Sequence, residues 1–209
     1  VTSYLTLGCD AEAAIEVKHS RFLCTLRRVE SDAEARDVVA RLRKQHWDAR
    51  HTCSAFVIGP DAALQRSSDD GEPAGTAGAP MLEVLRGAGL SDVVAVVTRW
   101  FGGTLLGAGG LVRAYGDAVR AAVERAGTTR RALVHEVAVD LSHADAGRVE
   151  SELRSRGVAV LGTSYDARVR LLLGTASPAA LSEVVAELTA GAATPVVVGE
   201  RWVDQPPST

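Results

Sequence analysis

Val93-Val-Ala-Val-Val-Thr-Arg-Trp-Phe-Gly-Gly-Thr-Leu-Leu-Gly-Ala-Gly-Gly-Leu-Val-Arg-Ala-Tyr-Gly116 is the stretch on which the reading of the first half turns. Val93–Val97 is a short, unbroken apolar run, the pattern of a strand covered on both faces. From Leu111 the pattern changes. Leu111, Val112, Tyr115, Ala118, Val119, Ala122 and Val123 recur at helical spacing, and Gly127 suits the helix end. Between strand and helix, five glycines fall within nine positions: Gly102, Gly103, Gly107, Gly109 and Gly110. Glycine is costly in regular structure, so this density marks special backbone angles or close approaches. The first amides of a helix lack partners and sit at the positive end of its dipole, a setting for an anion. Arg99 and Arg113 flank the turn and supply charge. The alternative is a packing turn that lets the helix lie close on the sheet. The stretch is neither a phosphate-binding loop with Gly-Lys-Ser/Thr nor a dinucleotide fingerprint.

Working back from this stretch, Ala14–Val17 and Phe22–Arg27 read as strands, the second with Phe22, Cys24 and Leu26 on one face. Ser31-Asp-Ala-Glu34 is a capping box. It opens a helix with Val38, Val39 and Leu42 on its apolar stripe, ending near His46. Cys53–Ile58 reads as a strand, Ser67–Gly78 as a polar loop, and Pro80 as the first turn of a short helix through Leu85.

Working forward, Leu133–Leu141 alternates as a strand, and Ser142-His-Ala-Asp145 caps a helix through Arg156. Val158–Leu161 and Ala167–Leu173 are strands. Ser177-Pro178 starts a helix with Leu181, Val184, Val185 and Leu188 inward, and Pro195–Val203 is a closing strand. The order β-α-β-β-α-β is the split ferredoxin-like unit. The expected fold class is α+β in two domains, residues 1–130 and 131–209, with a frayed tail at Asp204–Thr209.

Composition sets outer bounds. Hydrophobic residues make up 46% and charged residues 23%, as in a globular chain. No apolar run is long enough to span a membrane. The first residues show no basic head followed by an apolar stretch, which predicts no secretory signal. Three widely spaced cysteines, Cys9, Cys24 and Cys53, form no disulfide framework and fit a cytoplasmic protein. A net charge of −3 means that any RNA contact must come from a local patch.

Asp69-Asp70-Gly71-Glu72-Pro73 gathers three carboxylates in four residues. Such a cluster can hold Mg²⁺ to bridge a phosphate, act as an acid–base pair, or simply form a solvated turn. Thr76-Ala-Gly precedes a helix start and can add backbone donors. His46, His51 and Cys53 are ligands by residue type, but their spacing fits no common zinc site. His51, Cys53 and Ala55 share a strand face, which favours an interior role. No oxyanion hole or orienting third group accompanies a Cys–His pair. Arg21, at a strand start, is either a surface or a phosphate-contact residue.

Val97–Gly116 resembles the signature stretch of the IMPACT/YigZ family. Ser20-Arg-Phe22, His46-Trp-Asp-Ala-Arg-His-Thr-Cys-Ser-Ala55 and Ser68-Asp-Asp-Gly-Glu-Pro-Ala-Gly-Thr-Ala-Gly78 resemble it in the same order. Leu105 stands where many members carry lysine. The resemblance implies a bacterial member with an N-terminal α/β domain like the second domain of a small-subunit ribosomal protein. It also implies a ferredoxin-like C-terminal domain like the last domain of elongation factor G, and a role tied to translation.

Three functions follow. The first is a binding protein for RNA, the ribosome or a phosphate-bearing ligand. Its expected site comprises Arg21, Asp69, Asp70, Glu72, Thr76, Arg99, Gly102, Gly103, Gly107, Gly109, Gly110 and Arg113. The second is an enzyme acting on a small phosphorylated or nucleotide ligand with Mg²⁺; the missing nucleophile and base weigh against it. The third is a regulator that docks a protein partner through the C-terminal domain.

Overall fold

In the computed structural model, which describes residues 2–205, the apolar run Val93–Val97 lies in the middle of a five-stranded sheet. The first unit contains β1 (Ser3–Leu7), β2 (Ala11–Val17), β3 (Ser20–Arg28), α1 (Asp32–Gln45), β4 (His51–Ile58), β5 (Leu64–Ser68), α2 (Gly78–Gly87), β6 (Val93–Trp100) and α3 (Ala108–Ala126). Strands run in the order β2-β3-β6-β4-β5, and every neighbouring pair is antiparallel. A continuous apolar strand is more often found in a parallel sheet. Here it arises because helices cover both faces. Val94 and Val96 pack with Ala35, Val38 and Leu42 of α1. Val93, Ala95 and Val97 pack with Met81 and Leu85 of α2 and with Leu111, Tyr115 and Ala118 of α3.

The register stacks residues in rows on the α2/α3 face. Leu26 pairs with Ala95, and Ala95 with Ala55; Cys24 pairs with Val97, and Val97 with Cys53. The next row is Phe22, Arg99 and His51. A charged row at the end of an apolar face is where a site can form.

The second unit, Ala132–Asp204, begins within β7 (Thr128–Leu141). It continues with α4 (His143–Ser155), β8 (Ala159–Tyr165), β9 (Val169–Thr175), α5 (Pro178–Thr189) and β10 (Val196–Asp204). The strand order is β10-β7-β9-β8, the ferredoxin-like arrangement expected from the element order. Val137, Val139, Leu141, Leu171 and Leu173 meet Val149, Leu153, Leu181 and Val185 in its core. The chain is thus α+β with two units.

Serine caps start three helices as the sequence suggested. The Ser31, Ser142 and Ser177 hydroxyls accept from the amides of Glu34, Asp145 and Ala180. Two strands were not anticipated, β1 and β5. The segment expected to fray includes Asp204, which ends β10, and Gln205, whose amide donates to Arg130 O at 2.7 Å. Residues 206–209 lie outside the described residues.

The glycines of the turn have different causes. A Cβ on Gly102 would lie 2.0 Å from the His19 carbonyl carbon and 2.4 Å from the Ser20 nitrogen, so this position demands glycine for packing. A Cβ on Gly109 would meet nothing within 4 Å. Gly102→Ala is therefore expected to destabilise the protein by about 2–3 kcal/mol. Gly109→Ala is expected to leave stability unchanged or raise it by up to about 1 kcal/mol. Urea denaturation of the two variants checks the contrast, and equal losses would refute it.

Candidate functional site

The open end of the α2/α3 face holds a buried ion pair. Arg99 Nη1 donates to Glu72 Oε1 at 2.6 Å, with side-chain exposures of 6% and 3%. The Tyr115 hydroxyl donates to the same oxygen at 2.7 Å. Arg99 Nη2 reaches Ser20 Oγ at 3.4 Å, and the guanidinium lies 5.3 Å from the centre of the Phe22 ring and 5.7 Å from that of Phe101. Arg99 Nε is sealed from solvent and has no hydrogen-bond partner among the described residues. A charge held this way is costly to bury, and the pair with Glu72 makes the burial tolerable.

The acidic loop places Glu72 there by committing its other two carboxylates to the scaffold. Asp69 accepts from the amides of Gly75 at 2.8 Å, Ala77 at 3.1 Å and Gly78 at 2.7 Å. It therefore caps α2, whose own N-cap Ala77 has no side-chain acceptor. Burial raises the Asp69 carboxyl, but the amide bonds from Gly75, Gly78 and Ala77 outweigh that and hold its pKa below the usual value. Asp70 accepts from Arg43 Nη2 and from the Thr52 amide, both at 2.7 Å. Thr76 folds back, its hydroxyl donating to Pro73 O at 2.6 Å. Of the alternatives open for this cluster, a cation site, an acid–base pair or a turn, the structure shows the three carboxylates diverging to separate partners. Among the described residues, no three His, Cys, Asp or Glu side chains are grouped to hold a metal ion.

Beside the ion pair, α3 begins. Its N-cap is Gly107, with φ 74° and no side chain to cap the helix. Among the described residues, no acceptor meets the amides of Ala108, Gly109 and Gly110, while the Leu111 amide reaches Gly107 O at 3.0 Å. Gly107 and Ala108 line a cleft of about 320 Å³ together with Arg50, His51, Glu72 and Arg99. Phe101 and Leu105 form its apolar side, and Arg50 stacks on Phe101 at 5.4 Å.

Other expected site residues lie elsewhere. Arg113 is exposed and lines a separate groove with Val84, Ala88, Val112 and Gly116. Two positions past Leu111, it points away from the helix stripe that faces the sheet. Arg21 stacks on Trp100 at 5.1 Å. Gly102 is a packing residue, and Gly103 has φ 84° in the turn. Arg50 and Tyr115 were not foreseen in the site. Both lie in segments that carried the family resemblance, but neither was singled out as a site residue: Arg50 fitted no ligand pattern, and Tyr115 was assigned to the helix stripe.

Cys53 donates to Asp69 O at 3.0 Å and lies 3.4 Å from the Tyr115 hydroxyl. Burial pushes its thiol up to about 12, so it is a protonated packing residue at neutral pH and no nucleophile. Burial, with Cys53 and Glu72 alongside, likewise raises the Tyr115 phenol.

The Impact N-terminal domain matches residues 18–123, a span that contains every residue of the cleft. The chain belongs to the IMPACT family. Residues 139–192 match a second family, a domain of unknown function (DUF1949). IMPACT family member YvyE of Bacillus subtilis is 42% identical over 191 residues, covering 90% of this chain and 88% of that protein. IMPACT family member YigZ of Escherichia coli is 38% identical over 193 residues, covering 90% and 95%. A crystal structure described as that of a hypothetical protein aligns with TM-score 0.65 and 35% identity, covering 95% of this chain and 98% of its own. No helix among the described residues is long and apolar enough to cross a membrane.

The role of Asp69 is open to test. A carboxyl with a depressed folded-state pKa contributes stability that is present above its unfolded pKa of about 3.9 and lost as pH falls through the lower folded value. Asp69→Ala is expected to cost about 1–2 kcal/mol at pH 7. The gap between parent and variant should shrink as pH falls below about 4. Thermal melts at pH 7, 4 and 3 measure it, and a gap independent of pH would contradict the assignment.

Proposed function

We propose that this IMPACT family chain is a translation-linked, cytoplasmic binding protein that takes a phosphate-bearing RNA or ribosomal surface in the cleft at the start of α3. The observation that carries the reading is the start of α3, which has no side-chain cap and whose Gly107 and Ala108 line one cleft with Arg50 and Arg99. Charge favours an anion there. Two arginines and about half a charge from the helix start outweigh the single Glu72 carboxylate, leaving about +1.5. The membership in the IMPACT family supplies the link to translation, and the cleft supplies the chemistry. Its donors are backbone amides and arginine, which need no metal to meet a phosphate.

Binding of this kind weakens with salt because phosphate contacts release counterions. In co-sedimentation with ribosomes and fluorescence titration with single-stranded RNA, affinity is expected to fall linearly on a log–log salt plot. Arg50→Ala is expected to weaken binding and lower the slope by about 0.7. Arg50 is exposed, so this change spares the core. Salt-insensitive retention, or no retention, would exclude the reading.

A second reading, docking of a protein on the second unit, is favoured by one feature. Val196, Val197 and Val198 open β10 and are each more than half exposed. The paired change Val196→Asp, Val198→Asp is expected to keep the fold by circular dichroism and to lose any protein captured by the parent chain. Unchanged capture removes this reading.

A further inference from the structure

His51 and Glu72 present two hydrogen-bond acceptors side by side in the cleft. His51 Nδ1 lies 2.8 Å from Asp70 O. A carbonyl oxygen only accepts, so Nδ1 carries the hydrogen and, in the neutral ring, Nε2 carries the lone pair. Nε2 stands 3.8 Å from Glu72 Oε2. Oε1 of the same carboxylate is filled by Arg99 and Tyr115, whereas Oε2 has no hydrogen-bond donor among the described residues. Glu72 is nine-tenths buried, and Oε2 is the oxygen it leaves open to the cleft. Two adjacent acceptors call for two adjacent donors. A cis-diol offers them in the right number, and a phosphate alone does not.

The same cleft supplies the rest of a nucleotide's complement. The start of α3 at Gly107 and Ala108, with Arg50, offers donors for a phosphate, and Phe101 and Leu105 form an apolar wall for a base. Leu105 is 82% exposed, an apolar side chain left uncovered beside charged groups. A volume of about 320 Å³ is at the lower end of small-molecule sites, enough for one nucleotide and too little for a duplex.

We propose that the cleft holds one ribonucleotide, its 5′-phosphate at the start of α3 and its ribose 2′- and 3′-hydroxyls donating to Glu72 and His51. This rests on the anion reading given above. The chemistry has two sources, a free ribonucleoside 5′-monophosphate or the 3′-terminal residue of an RNA, which alone in the chain keeps both hydroxyls.

Calorimetric titration tests it with the four ribonucleoside 5′-monophosphates and their 2′,3′-dideoxy counterparts. A short RNA ending in a 3′-hydroxyl is compared with the same RNA ending in a 3′-phosphate. At least one ribonucleotide is expected to bind about tenfold or more tightly than its dideoxy form, since the loss leaves two acceptors unmet. The RNA with a free 3′ end is expected to outbind its 3′-phosphate form if the source is RNA; binding confined to the mononucleotides assigns the free ligand. His51→Ala is expected to narrow the ribo-to-dideoxy ratio while the phosphate still binds. Equal affinity for ribo and dideoxy forms, or a full ratio retained in His51→Ala, overturns the diol assignment and leaves the anion reading standing. Binding of none of these compounds overturns both.

Discussion

The Arg99–Glu72 ion pair forms where the apolar face of the first sheet ends. Rows of Leu26, Ala95 and Ala55, then of Cys24, Val97 and Cys53, give way to Phe22, Arg99 and His51. Arg99 is buried there, its guanidinium against the Phe22 and Phe101 rings. It needs a carboxylate, and the loop after β5 delivers one. Removing either partner from such a pair costs about 3–5 kcal/mol, since the other charge is left buried alone. The loop, the helix α2 that it caps and the row-end of the sheet are thus tied to one contact.

That contact also explains the character of the cleft. Arg99 is neutralised by Glu72 and mostly enclosed, so Arg50 and the start of α3 are the cleft's exposed positive features. Glu72 in turn keeps one oxygen uncommitted beside His51. The result is a site with a positive end, an accepting end and an apolar wall formed by Phe101 and Leu105. A bare polyanion groove would lack the accepting end, and a metal site would need the carboxylates that Asp69 and Asp70 have already committed.

Much of the framework was legible in the residues. The Val93–Val97 run announced a strand with two covered faces, and the serine caps announced three helix starts. The second unit followed from its alternation of period-two and helical stretches. Strand β5 was hidden because Leu-Gln-Arg-Ser-Ser lies almost wholly exposed at a sheet edge, with no apolar alternation to betray it. The turn's glycines were legible as a group and opaque individually. Gly102 yields to the His19 backbone and Gly107 to a left-handed angle, facts that exist only once β3 and α3 are in place. The acidic loop was the hardest to read. Three carboxylates adjacent in sequence went to a helix cap, an arginine with a strand amide, and a buried ion pair, because a tight turn aims neighbouring side chains apart. Arg113 was readable in principle, since helical phase from Leu111 and Tyr115 already places it on the outer face.

The central claim is that the start of α3, held against the Arg99–Glu72 pair, is an anion site. A ¹H–¹⁵N NMR titration of the full chain with inorganic phosphate tests it most directly. The account predicts saturable shifts led by the amides of Ala108, Gly109 and Gly110, with Gly107 and Phe101 following, and loss of those shifts in high salt. Shifts spread over the surface arginines, or an unmoved first turn of α3, would contradict it.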